Sequence, residues 1–226
     1  MRASIETLLA PVPVVPVVVL ESAADAVPLA RALVAGGLPV IEVTLRTAAA
    51  AAAIERIAGE VPGAVVGAGT VTSAAQVADA RAAGARFLVS PGTTPALLGA
   101  IEDSGLPFLP GSATASDVVA LLERGITAAK LFPAEAVGGV TTLRAFTGPF
   151  PQVRFCPTGG IDQERAPAYL ALPNVLCVGG SWMVPAAAVR GGDWATVKTL
   201  ARAAAALRAG APRLDAPAAR PHLSLL

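Results

Sequence analysis

Eight times along this chain a short run rich in β-branched residues is followed by an alanine-rich stretch of helical length. That alternation requires parallel strands, because each strand is re-entered from the same end after a crossover helix. The strand runs are 14–19, 39–45, 64–68, 86–89, 106–109, 127–132, 153–157 and 174–178, with helix-length segments such as 23–35, 48–58, 73–83 and 116–124 between them. Gly36, Gly84, Gly105 and Gly125 fall where a helix should stop before the next strand. Eight strands in 226 residues make units of about 28 residues, which suits a compact (β/α)8 TIM barrel. A doubly wound open sheet is the alternative fold. Ile5–Leu9 reads as a short N-terminal helix ahead of the first strand. Residues 1–210 read as one barrel domain, and 211–226, rich in Pro and Ala, as an appended tail.

Composition narrows the function. With 54% hydrophobic and 15% charged residues the chain is no disordered polymer. Seventeen Lys and Arg against sixteen Asp and Glu leave no electrostatic footprint for nucleic acid or an anionic membrane. Two cysteines make no disulfide framework, so a reduced, cytoplasmic setting is expected. The single histidine, His222, lies in the tail, which excludes an imidazole-built metal site in the barrel. The apolar run 12–20 is short of the roughly 20 residues of a membrane span and carries Pro13 and Pro16. With Arg2 and Ser22-Ala23-Ala24 it loosely mimics a secretory signal; Glu6 and the two prolines argue against that.

Two strand runs break the apolar rule. In VIEVTLRT, residues 40–47, Ile41, Val43 and Leu45 form one face and Glu42, Thr44 and Arg46 the other. The apolar face must meet the helices, so the polar one looks into the barrel. Buried charges there are costly unless paired or used, and an internal Glu42–Arg46 ion pair is the plain structural reading. The sixth strand run, ITAAKLFPAE (126–135), tips the balance. It carries Lys130, one of only two lysines; the other, Lys198, sits among arginines in an alanine-rich helix over 193–209 and reads as solvated. Alternation puts Ile126, Ala128, Lys130 and Phe132 on one face. An amine held among apolar neighbours is desolvated, which disfavours its ammonium form, and a neutral amine is the nucleophile of Schiff-base chemistry. A lysine snorkelling from a strand end is the bland alternative.

The last two strand runs lead into paired glycines. Gly159 and Gly160 in RFCPTGGI, and Gly179 and Gly180 in VGGSW, are read as lying just past a strand, where backbone N–H groups can meet an anion. Ser181 is expected to cap a short helix over 182–188 and to add its hydroxyl. This is where barrels of this class bind phosphate.

Taken in order, PVVPVVV (13–19), GGLPVIEVTLRT (36–47), VVGAGTV (65–71), VSPG (89–92), LPG (109–111), KLFPAE (130–135), GPFPQVRFCPTGGI (148–161) and VGGSWMVP (178–185) span the chain from first strand to last. In these segments the chain resembles the bacterial 2-keto-3-deoxy-6-phosphogluconate (KDPG) aldolases, which share a family with the 4-hydroxy-2-oxoglutarate (KHG) aldolases. The resemblance implies a trimeric, metal-free and cofactor-free class I aldolase on a (β/α)8 barrel. It gives Lys130 the role of Schiff-base lysine and Glu42 that of general acid/base. Arg46 and Thr70 match the groups that hold the pyruvyl carboxylate. Pro91 and Phe132 match pocket walls, and Thr158 the residue near the aldehyde-derived hydroxyl. Gly159, Gly160, Gly179, Gly180 and Ser181 match the phosphate end. The implied reaction is cleavage of KDPG to pyruvate and D-glyceraldehyde 3-phosphate, as in the Entner–Doudoroff pathway of carbohydrate metabolism. Cleavage of 4-hydroxy-2-oxoglutarate to glyoxylate and pyruvate is the nearest alternative, a phosphate-binding barrel isomerase a more distant one, and a barrel that only binds a keto acid the non-enzyme reading. The polar Ser112 and the long tail depart from what the family suggests.

Overall fold

A computed structural model describes residues 4–208; the tail over 211–226, with His222, lies outside the described residues. Helix α1 (Ile5–Leu9) precedes strand β1 (Val14–Val18). There follow α2 (Ala26–Ala35), β2 (Val40–Thr44), α3 (Ala50–Glu60), β3 (Val65–Gly69) and α4 (Ala74–Ala82). Next come β4 (Leu88–Val89), α5 (Pro95–Ser104), β5 (Phe108–Leu109), β6 (Gly111–Ser112) and α6 (Ala115–Glu123). The chain continues through β7 (Ala128–Leu131), α7 (Gly139–Phe146), β8 (Arg154–Phe155), α8 (Ala166–Leu170), β9 (Val178–Gly180), α9 (Ala186–Arg190) and α10 (Trp194–Ala205). Side-chain oxygens of Ser73, Thr94, Thr114 and Asp193 accept from the amides of Gln76, Leu97, Asp117 and Thr196, which fixes where α4, α5, α6 and α10 begin.

Every strand pair is parallel, but the strands fall into two sheets, ordered β5-β4-β3-β2-β1-β9 and β6-β7-β8. Of the expected fifth strand, 106–109, only Phe108 and Leu109 pair, and an unexpected strand, β6, follows Pro110, which has no N–H for the ladder; the Pro110 carbonyl still accepts from Lys130 N at 2.7 Å. Between β8 and β9 the contact is reduced to two bridges, Phe155 with Val175 and Thr158 with Gly179. The last strand therefore begins at Val178, four residues beyond the start of the 174–178 run. Asn174 is instead buried, its side-chain amide donating to the Leu143 carbonyl at 2.8 Å.

The two sheet faces have different partners. One face, with Ile41, Val43, Leu131 and Phe155, packs under the helices against Leu33, Ile54, Ile57 and Leu121. On the other, Val15, Val40, Phe87, Leu109, Ala128, Cys156 and Cys177 form a single cluster with Ile5 and Leu9 of α1. Strands from both sheets share that inner cluster, and no helix but α1 enters it, so the parallel sheet is curled and the doubly wound alternative does not hold. The Cys177 and Cys156 sulfurs lie 3.5 Å apart within it. The Thr127 hydroxyl donates to Glu6 at 3.2 Å, tying α1 to the N-terminal end of β7. Among the described residues no helix is long and apolar enough to cross a membrane.

Candidate active site

Because the strands are parallel, everything that follows a strand gathers at one end of the curled sheet. Glu42 enters from β2 and Lys130 from β7, 88 residues apart, and the Lys130 Nζ donates to Glu42 Oε1 at 3.1 Å. Their side chains are 6% and 4% exposed, so this is a buried ion pair. The lysine ammonium also lies 5.2 Å from the centroid of the Phe132 ring, on the strand's own continuation. Around Lys130 the backbone is pinned on both sides. Ser112 donates its hydroxyl to the Lys130 carbonyl at 3.3 Å, and Ser90 accepts from the Gly111 amide at 3.2 Å. The polar Ser112 thus has a partner in its buried position.

Arg46 departs from the sequence expectation. Strand β2 ends at Thr44, the Arg46 amide turns back onto the Thr44 carbonyl at 2.8 Å, and the side chain is exposed at the mouth. The internal Glu42–Arg46 pair does not form; Glu42 is paired with Lys130 instead, and Thr44 satisfies its hydroxyl by donating to the Val18 carbonyl at 3.0 Å. Thr70, one residue past β3, has φ +58°, a left-handed backbone that costs a β-branched residue about 1–3 kcal/mol. It is held there by hydrogen bonds on either side, from the Leu45 amide to Gly69 and from the Val71 amide to Val89. Pro91 follows β4 and packs where Gly111 leaves room: a Cβ at Gly111 would collide with the Pro91 backbone.

The glycine pairs are not equivalent. Gly159 and Gly160 lie past β8 with φ of +105° and +78°. Gly179 and Gly180 instead lie within β9, in register with Val15 and Pro16. They are glycines for lack of room, since a Cβ would meet the Thr158 hydroxyl at Gly179 and the Trp182 ring at Gly180. Thr158 is buried, 6% exposed, against that gap. Ser181 is exposed just past β9 and caps no helix, because α9 starts only at Ala186 after a turn. The amides of Gly159, Gly160 and Ser181 find no acceptor among the described residues.

Behind the Gly159–Gly160 turn lies a network that sequence reading missed. The Glu135 amide donates to the Gly159 carbonyl at 3.1 Å. Arg165 donates to the Gly160 carbonyl at 3.2 Å and pairs with Asp162 and, at 3.5 Å, with Glu135. The Tyr169 hydroxyl donates to Glu135. Burial and then that carboxylate hold the phenol well above the usual tyrosine range. The available signal was Glu135 within KLFPAE and Tyr169 as the only tyrosine, but nothing in linear spacing joins them. Lys198 is exposed on α10, the solvated position the sequence suggests. Among the described residues, no group of three or more His, Cys, Asp or Glu stands together as metal ligands.

Comparison with known proteins identifies the family. Residues 5–200 match the KDPG and KHG aldolase family. The chain is 52% identical to the 2-dehydro-3-deoxy-phosphogluconate aldolase of Dickeya dadantii over 205 residues, covering 91% of this chain and 96% of that protein. It is 52% identical to the KHG/KDPG aldolase of Escherichia coli K12 over 203 residues, 90% of this chain and 95% of that one. Among solved structures, the KDPG aldolase of Legionella pneumophila superposes with a TM-score of 0.88 at 46% identity, covering 91% of this chain and all of that one. That structure holds pyruvate as a covalent carbinolamine.

Proposed function

The chain belongs to the KDPG and KHG aldolase family, and from that premise we propose that it is a class I, Schiff-base aldolase cleaving KDPG to pyruvate and D-glyceraldehyde 3-phosphate. The observation that carries the proposal is the buried Lys130–Glu42 pair at the C-terminal end of the sheet. Its removal from water is expensive and an apolar pair of similar size would often be at least as stable, which points to a chemical use. Lys130 attacks the C2 ketone of the substrate and loses water to give an iminium. The iminium accepts the electrons of the C3–C4 bond as it breaks to an enamine, while Glu42 takes the proton of the C4 hydroxyl. Glu42 then returns a proton to C3, and hydrolysis frees pyruvate and the lysine. One carboxylate serves both transfers because the proton it takes from the C4 hydroxyl is balanced by the one it returns to C3.

Around this pair, Arg46 and Thr70 hold the substrate carboxylate, the arginine by its two-pronged fork. Pro91, Phe132 and Thr158 shape the pocket. Gly159, Gly160, Gly179, Gly180 and Ser181 form the phosphate end, with the unpartnered amides of Gly159, Gly160 and Ser181 as donors. Arg165, which donates to the Gly160 carbonyl at 3.2 Å, brings a cation to that turn. The same reading takes the two sheets as one (β/α)8 barrel, interrupted at Pro110 and joined by the bridges at Val175 and Gly179. A homotrimer acting in the cytoplasm within the Entner–Doudoroff route is the family's expectation carried to this chain.

Steady-state turnover of KDPG by Glu42→Gln tests the proposal. The isosteric amide keeps the shape and removes the base, so kcat should fall about 10²–10⁴-fold. Wild-type turnover would make Glu42 a structural residue.

A further inference from the structure

Glu42 stands directly opposite Gly67 in the β2–β3 register, and Thr44 opposite Gly69. A glutamate side chain would ordinarily lie across its register partner. Here that place is taken. A Cβ at Gly67 would fall on the ring of Phe87, which is fully buried over that glycine. The Glu42 chain therefore runs the other way, toward the C-terminal end, and its carboxylate lies across Gly69, where a Cβ would fall on Cγ, Cδ and Oε1. From there Oε1 meets Lys130 Nζ at 3.1 Å. Neither Gly67 nor Gly69 has a positive φ. The backbone at both positions would accept an alanine, so what these glycines supply is space.

We propose that Gly67, Phe87 and Gly69 form a mould that aims the Glu42 carboxylate at Lys130, with Gly69 as a positioning residue for the acid/base step. The inference rests on the aldolase reading above. Phe87 blocks the lower rotamer of Glu42, Gly69 vacates the upper one, and the single arrangement left brings the carboxylate within reach of the amine. The two glycines differ in what an added methyl would strike. At Gly67 it meets a rigid ring in the core. At Gly69 it meets the movable end of a flexible side chain, so the fold yields there and Glu42 is displaced.

The test is a size exchange between positions 69 and 42. Gly69→Ala should fold as wild type by circular dichroism and lose about 10²-fold in kcat on KDPG, the effect of misplacing a reacting group by roughly an ångström. KM should change less than about threefold, since no proposed substrate-holding group has moved. Glu42→Asp alone should also lose activity, because its carboxylate retracts from Lys130. Combined, the two changes misplace the same carboxylate, so Gly69→Ala/Glu42→Asp should lose much less than the product of the two single losses. A Gly69→Ala enzyme within twofold of wild type would overturn the mould. So would a double variant whose loss is the product of the two single losses, or a Gly69→Ala chain that does not fold. A wild-type chain that does not turn over KDPG would instead break the aldolase reading itself, leaving the two failures distinct.

Discussion

The inner face of the curled sheet has two ends, built from the same strands by the same alternation, and they are opposite in chemistry. At the N-terminal end Val15, Val40, Phe87 and Ala128 close on Ile5 and Leu9 of α1. Two residues further along β2 and β7 the same face carries Glu42 and Lys130, buried and paired. The lower end gains by removing apolar area from water. The upper end forgoes that gain and holds two charges whose desolvation is costly. The difference teaches where to look for function in such a sheet: at the strand ends where continuing the apolar pattern would have been more stable.

The sharpest way to break the contrast is to make the upper end apolar. Lys130→Met should reduce turnover to background, and should destabilise the fold by about 3–5 kcal/mol in urea because it strands Glu42 without a partner. Adding Glu42→Gln should recover most of that stability and none of the activity. If Lys130→Met is as stable as wild type, the pair is more solvated than its exposure indicates. The reverse experiment damages the lower end. Leu9→Ala, at a side chain 1% exposed, should cost about 2–5 kcal/mol and leave kcat unchanged wherever the protein is folded. A large fall in kcat there would mean that the two ends are not separable. A smaller effect sharpens the boundary of the upper end. Gly160→Ala, which sets a methyl against the Glu135 side chain at a positive φ, should lower kcat/KM for KDPG about tenfold, the worth of one hydrogen bond to a charged group. Cleavage of 4-hydroxy-2-oxoglutarate, which lacks the phosphate, should change much less. Equal losses would assign the turn to support of the sheet alone.

What the sequence reveals here follows from how local each signal is. Strand β2 and strand β7 are legible because a charge within an apolar alternation marks both a strand and its inner face, and Lys130 is one of two lysines. The curled parallel sheet is legible from the alternation of runs. The break at Pro110 was available from proline's missing N–H, but the shift of the last strand was not, because it depends on pairing with β1 and β8. Extending the strand period past Thr44 points Arg46 inward, but the chain already turns there. The expected Ser181 cap failed for a similar reason: Pro185 and the turn before it postpone the helix to Ala186. The roles of Gly67 and Gly69 were hidden altogether, since a glycine that makes room for a side chain on a neighbouring strand is visible only once register is known. The Tyr169–Glu135–Arg165 network joins α8 and its N-cap to the segment after β7 and is equally non-local.

The central claim is that Lys130 forms a covalent imine with a keto acid, and borohydride reduction in the presence of pyruvate tests it most directly. Reduction should fix one pyruvyl group per chain, and peptide mass spectrometry should place it on the peptide that carries Lys130. Lys198, exposed on α10, is the internal control and should remain unmodified. A chain that takes up no pyruvyl group, or one labelled at Lys198 and not at Lys130, would contradict the account.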